Sequence, residues 1–235
     1  MRILCLASLF LSFINSSFGQ FSVPVGIGLS ASTLGLGIQG VVGVTQKSHV
    51  RVGFNAFSYS DNFTKEGAHY AGKLRLRSFQ ATYDQFLWHS IHISGGLLAW
   101  NGDRGSFNTT IPGGQPFTLG STSYYSSSAN PVSGAGLVTF NEAAPIVLIG
   151  FGNLLPGSEK HFGYSVEAGV AFQGSPRVNL NLAGTACSDS AQTRCTNAAS
   201  PSLQSSVLAE QTKLDTNLSF LQYYPIIAIT LDYRF

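Results

Sequence analysis

The sequence predicts an all-β fold, a transmembrane antiparallel up-and-down β-barrel, and three observations predict it. Charged residues are 10% of the chain, well below the quarter or so usual in soluble proteins, and 26 glycines are about half again their usual share. Aromatic residues reach 12%. Segment after segment alternates apolar with polar or small side chains at period two, which sends successive side chains to opposite faces of a strand. A closed ring of such strands satisfies its own backbone groups, the condition for crossing a bilayer without helices.

Residues 1–19 read as an export signal: Arg2 supplies a positive end, an apolar run follows, and Ser17-Phe18-Gly19 offers small residues around a cleavage point. The run is too short for a membrane-spanning helix, and Leu4 before Cys5 speaks against lipid attachment. The barrel domain is then 20–235. A first strand covers 23–29. A second covers 33–45, with Leu34, Leu36, Ile38, Val42 and Val44 facing one way and Gly35, Gly37, Gln39 and Gly43 the other. A third follows at 50–60, where Val50, Val52, Phe54 and Ala56 oppose Arg51, Gly53 and Asn55. In a fourth, at 73–88, Lys73, Arg75 and Arg77 share one face. Past Ser78 the polar set becomes Gln80, Thr82 and Asp84, a phase shift that predicts a β-bulge near Arg77 and Ser78.

The fifth strand, at 91–99, sets Ile91, Ile93, Leu97 and Ala99 against His92, Ser94 and Gly96. Residues 101–134 are rich in Gly, Ser and Thr and read as a long loop with room for a hairpin. "APIVLIGFGN" is the sixth strand and 162–172 the seventh. Alternation continues past the seventh through "SPRVNLNL", beyond the 9–11 residues or so that a membrane strand needs, so the chain must project past the bilayer or bend at Gly174-Ser175-Pro176. A second insertion, 183–224, holds one short amphipathic helix at 202–220, with Val207, Leu208, Leu214, Leu218 and Leu221 near helical spacing. In the last strand, "YYPIIAITLDYRF", Ile227, Ile229, Leu231, Tyr233 and Phe235 oppose Ala228, Thr230, Asp232 and Arg234. Eight strands put the short joints at 46–49, 88–89 and 154–161 at the end bearing both termini and both long joints at the other, as outer-membrane barrels do. Hairpins inside the long loops would raise the count to ten or twelve.

Cys5 leaves with the signal, so Cys187 and Cys195 remain as a pair across "CSDSAQTRC". Their disulfide would contribute roughly 2–3 kcal/mol and requires an oxidising compartment. Two free thiols are the alternative.

The terminal "YRF" resembles the carboxy-terminal signal by which the outer-membrane assembly machinery recognises its barrels, which implies Tyr233 and Phe235 as an assembly signal. "APIVLIGFGN", "GVAFQGSPRVNL" and the last strand resemble blocks in a poorly characterised group of bacterial OmpA-type outer-membrane proteins. That resemblance implies a barrel in the bacterial outer membrane after export through the inner membrane. Its partners would be outer-membrane lipid, periplasmic chaperones and the barrel-assembly machinery. It brings no catalytic residue and no cofactor.

On the inward face, Arg51, Asp84, His92, Glu167, Asp232 and Arg234 all fall toward the terminal end. Eight strands enclose room only for packed side chains, so these groups are expected to pair as a charge network in a closed lumen. Other chemistry is thin. Ser60, Asp61 and His69 could supply the hydroxyl, carboxylate and imidazole of a lipid-modifying enzyme, but are more simply loop residues. His89 and His92 point to opposite faces of a strand, which argues against a shared metal. "GIGLSA" has no helix after it to form a nucleotide site. A net charge of +2 offers no nucleic-acid footprint. The expected function is a non-enzymatic barrel serving envelope integrity or surface contact, with "STSYYSSS" as the stretch for a surface ligand. A narrow pore or hydrophobic-solute channel and a lipid-modifying enzyme are the alternatives.

Overall fold

The computed structural model describes residues 23–65, 68–156 and 160–235, so the expected export signal lies outside the described residues. The chain forms β1 (Val25–Ser32), β2 (Gly35–Thr45), β3 (Ser48–Lys65), β4 (Ala68–Phe86) and β5 (Ile91–Ala99). An insertion follows, holding β6 (Asp103–Ile111), β7 (Pro116–Leu119), β8 (Thr122–Ser126) and β9 (Val132–Thr139). Then come β10 (Ala144–Asn153) and β11 (Phe162–Phe172). A second insertion holds β12 (Arg177–Ala183), β13 (Thr185–Cys187), β14 (Cys195–Asn197) and helix α1 (Pro201–Asn217), and β15 (Tyr223–Arg234) ends the chain.

Strands β1, β2, β3, β4, β5, β10, β11 and β15 each pair antiparallel with the next, and β15 returns to β1 with Leu29 opposite Leu231. That closes an eight-stranded barrel. Oil-facing positions follow from the period-two pattern: Leu29, Leu36 and Leu231 are 68%, 71% and 66% exposed, a degree of apolar exposure that water does not tolerate over a whole circumference. Both described ends of the chain lie at one rim, where Gln46 and Lys47 alone separate β2 from β3.

The structure departs from expectation in four places. No bulge interrupts β4, which pairs with β3 in unbroken register from Ser48 opposite Gln85 to Lys65 opposite Ala68. Lys73, Arg75 and Arg77 share the outward face with Phe79, Ala81 and Tyr83. The polarity changes because a strand of 19 residues outlasts the apolar belt, not because its register slips. Leu34 leaves the outward face of its segment and is buried, since the β1–β2 turn at Thr33-Leu34 tucks it inside before Gly35, whose φ is +114°.

Residues 101–134 hold the hairpin that the segment had room for, β7 with β8, but the rest is strand rather than loop. β6, β9 and β12 prolong β5, β10 and β11 past breaks at Trp100 to Gly102, 140–143 and 173–176, the first and last with positive φ at Trp100 (62°) and Gly174 (74°). Beyond the breaks they pair β4–β6–β9–β12 as an outer sheet. A second sheet, ordered β14-β13-β8-β7, and helix α1 cover its apolar face. Ile111, Val132, Ala186, Leu203 and Val207 bury there as a separate small core. The helix is shorter than the expected 202–220: it starts with Pro201 at its first turn, where a missing N–H costs nothing, and tightens into a 3₁₀ turn at Ser219–Gln222. Cys187 and Cys195 are disulfide-bonded, directly opposite each other on β13 and β14.

Candidate functional site

The lumen is filled in layers. At the rim bearing the termini, Leu154 and Leu155 of the β10–β11 joint turn back into the barrel and bury against Val41. Above them lies a run of mutually tilted rings: His49 and Phe86 centroids are 4.8 Å apart, and Phe86 and His92 are 4.9 Å apart.

The next layer holds the charges. Arg51 comes from β3, Asp84 from β4, His92 and Ser94 from β5, and Glu167 from β11, all at inward positions. The guanidinium bridges both carboxylates: Nη1 donates to Glu167 Oε2 at 2.7 Å and Nη2 to Asp84 Oδ1 at 2.8 Å. Nη2 also meets Glu167 Oε1 at 2.5 Å. Nε sits 2.7 Å from Asp84 Oδ2, an ion-pair contact without hydrogen-bond alignment. His92 Nε2 lies 2.9 Å from Glu167 Oε1 and acts as the donor, because an ionised carboxylate can only accept. Gly150, on the neighbouring strand, makes this possible: a Cβ there would meet His92 Nε2 at 2.2 Å. Four buried groups from four strands are thus held by charge-assisted bonds, which offset part of their desolvation.

Asp232 and Arg234 sit apart from this cluster. Asp232 accepts from Gln39 Nε2 at 3.0 Å, and Arg234 donates to the Pro156 carbonyl at the rim. The expected six-residue network is therefore four residues with two neighbours bonded elsewhere, because inward parity fixes a side chain's face but not which strand lies across from it.

Over the charges, a cavity of about 20 Å³ touches Gln39, Arg51, Asn55, Glu167 and Thr230, space for about one water. Above it an oily layer closes the barrel: Leu34, Leu98, Ile146, Leu148, Ala171 and Ile226 are buried together. Sequence reasoning missed this layer, although "APIVLIGFGN" carried a signal for it, since residues 144–151 are apolar or Gly on both faces: Val147, Ile149 and Phe151 are exposed on the outward face, and Ala144, Ile146 and Leu148 are buried inside. Asn101, Arg104 and Gln173 cap the layer, with Asn101 donating to Gln173 at 3.2 Å and Arg104 over the Tyr224 ring at 4.5 Å.

The remaining candidates are placed as follows. Tyr233 and Phe235 lie edge to face at 5.5 Å on the outward face of the rim bearing the termini, and Tyr233 stacks on His161. Ser60 and Asp61 point to opposite faces of β3, and His69 Nδ1 bonds to Thr64 at 3.0 Å, so the three do not converge. His89 lies in the β4–β5 joint while His92 is buried in the lumen. In "STSYYSSS", Tyr124 is held by Phe117 and by a bond to Ser206 at 2.9 Å, which makes it part of the outer core. Between the outer sheet and α1 a cleft of about 630 Å³ is lined by Tyr70, Phe107, Leu180 and Leu182, with Glu210 and Lys213 at its edge.

No protein-family model matches the chain, and no curated protein matches it in sequence. Solved structures do match. Acinetobacter baumannii CarO is 19% identical, with a TM-score of 0.56 over 90% of this chain and 98% of CarO. CarO2 of the same species is 17% identical, with a TM-score of 0.56 over 91% of this chain and 99% of its own. At these identities the likeness shows the fold alone, an eight-stranded antiparallel barrel.

Proposed function

We propose that this outer-membrane β-barrel protein works without catalysis, with a sealed lumen, and serves envelope integrity or surface contact through the sheets and helix that crown it. The export signal at 1–19 would direct it across the inner membrane. Periplasmic chaperones would carry it, and the assembly machinery would read Tyr233 and Phe235. The crown then faces outward and the rim with the termini faces the periplasm.

The observation that carries this reading is the packed interior. The void over the charges, about 20 Å³, lies between an ion-paired layer and an oily layer. A solute crossing here would have to displace Arg51 from two carboxylates and then part buried leucines and isoleucines. Kinship with the OmpA-type group fits the same picture.

The test is conductance of the refolded protein in planar bilayers, with migration of unboiled and boiled samples compared on a gel. The expected result is a compact unboiled band and no discrete current steps. Discrete steps would favour the narrow-pore reading over the sealed one.

A further inference from the structure

The outward face of the barrel is uncharged almost everywhere. Among the described residues of the eight barrel strands, the only Lys, Arg, Asp or Glu on outward positions are Lys73, Arg75 and Arg77, alternate residues of β4. We propose that these three form a binding site for the phosphorylated headgroup of an outer-leaflet lipid. The proposal rests on the reading of the chain as a membrane barrel and deepens it.

Arg77 stands two residues beyond Phe79, and Phe79, Phe54 and Trp100 are exposed rings at the upper edge of the apolar belt, with Phe54 and Trp100 centroids 6.5 Å apart. Aromatic girdles mark the boundary between acyl chains and headgroups. Alternate residues on a strand are about 7 Å apart, so the column runs roughly 14 Å along β4 from Arg77 to Lys73, about 10 Å of it in height at a strand tilt of about 40°. It starts where acyl chains end and runs through the headgroup layer.

Ser58 pairs with Arg75, and Ser60 and Ser106 flank Lys73 from either side, so hydroxyl donors share the face with the cations. Among the described residues none of the three cations has an ion pair or a side-chain hydrogen bond within the protein. No carboxylate stands on the outward positions of β3 or β4. A merely solvated strand mixes signs. A column of unneutralised cations with hydroxyls beside it, two of them guanidinium forks matched to phosphate oxygens, selects a multiply charged anion. At this height, against oil, that anion is a lipid's.

The full-length protein in neutral detergent micelles is titrated with bisphosphorylated lipid A, with its dephosphorylated counterpart, and with the phosphorylated lipid in the presence of millimolar inorganic phosphate, and bound lipid is read by native mass spectrometry. Wild type should prefer the phosphorylated lipid by tenfold or more. The combined variant Lys73→Gln, Arg75→Gln, Arg77→Gln should lose at least threefold of that binding, Lys213→Gln on α1 should lose none, and inorganic phosphate should not compete. A loss under threefold in the combined variant, equal binding of the two lipids, or displacement by inorganic phosphate overturns the site. Should the combined variant run as unfolded on the unboiled gel, Arg75→Gln and Arg77→Gln are read singly by the same criterion. Failure of wild type itself to migrate as a compact unboiled band sinks the membrane reading instead, so the two failures are told apart.

Discussion

Arg51 holds two carboxylates in a space that water hardly enters, and its removal would leave Asp84 and Glu167 buried without a counter-charge. Arg51→Met is expected to destabilise the barrel by about 3–5 kcal/mol. Urea unfolding from lipid vesicles measures it. Replacing Arg51, Asp84 and Glu167 together by apolar residues should cost less than the single change, since no unpaired charge then remains. Parity along the strands placed these residues, with His92, on the inward face. Their mutual pairing depends on how far each strand slides against the next around the ring, and that offset leaves no mark in the sequence. Gln39 as the partner of Asp232 was illegible for the same reason. Outside the membrane, Asp189 accepts from the Thr193 hydroxyl at 2.6 Å and from the Thr193 and Arg194 backbone N–H groups, and these bonds hold its carboxyl below the usual range. A lowered folded value means that the carboxylate steadies the disulfide loop above its unfolded value and releases it as pH falls through the folded one, below about pH 4. NMR of the Thr193 and Arg194 amides should show that transition, and Asp189→Asn should abolish it.

At the scale of elements, the last strand gives the plainest test. Ile229 is 57% exposed at mid-height of β15, between Val166 on β11 and Ala31 on β1. A lysine there should cost about 2–4 kcal/mol of folding free energy if lipid surrounds it. The yield of compact, heat-modifiable protein in vesicles reads this, and an unchanged yield would refute the facing. The cross-strand disulfide belongs to the same scale: Cys187→Ser with Cys195→Ser should lower the stability of the outer sheets by roughly 2–3 kcal/mol, while the barrel keeps its compact band. Limited proteolysis after reduction separates the two. The barrel strands were legible because each carries one oily face. The outer strands were not, because β6 and β9 carry few apolar residues, and those pack against β7, β8 and the distant 185–207 segment rather than forming an oily face of their own.

The whole molecule is a plugged cylinder carrying a small second core. Its two parts answer to different solvents, oil around the barrel and water around the crown, which is why β4 changes outward character partway along without changing register. Composition announced the first part through scarce charge and abundant glycine. The crown resembled loop, since a small core of seven buried residues needs few apolar positions per strand.

The pairing of β1 with β15 has a consequence for biogenesis. Gly26 meets Arg234, nearly the full chain length away, so ring closure must wait for the final segment to be synthesised. Contacts this remote make folding slow, and until the ends meet the chain displays two raw strand edges. A ribosome-stalled or clipped molecule would remain permanently open, prone to zip onto another such fragment, so quality control has only to look for an unzipped seam.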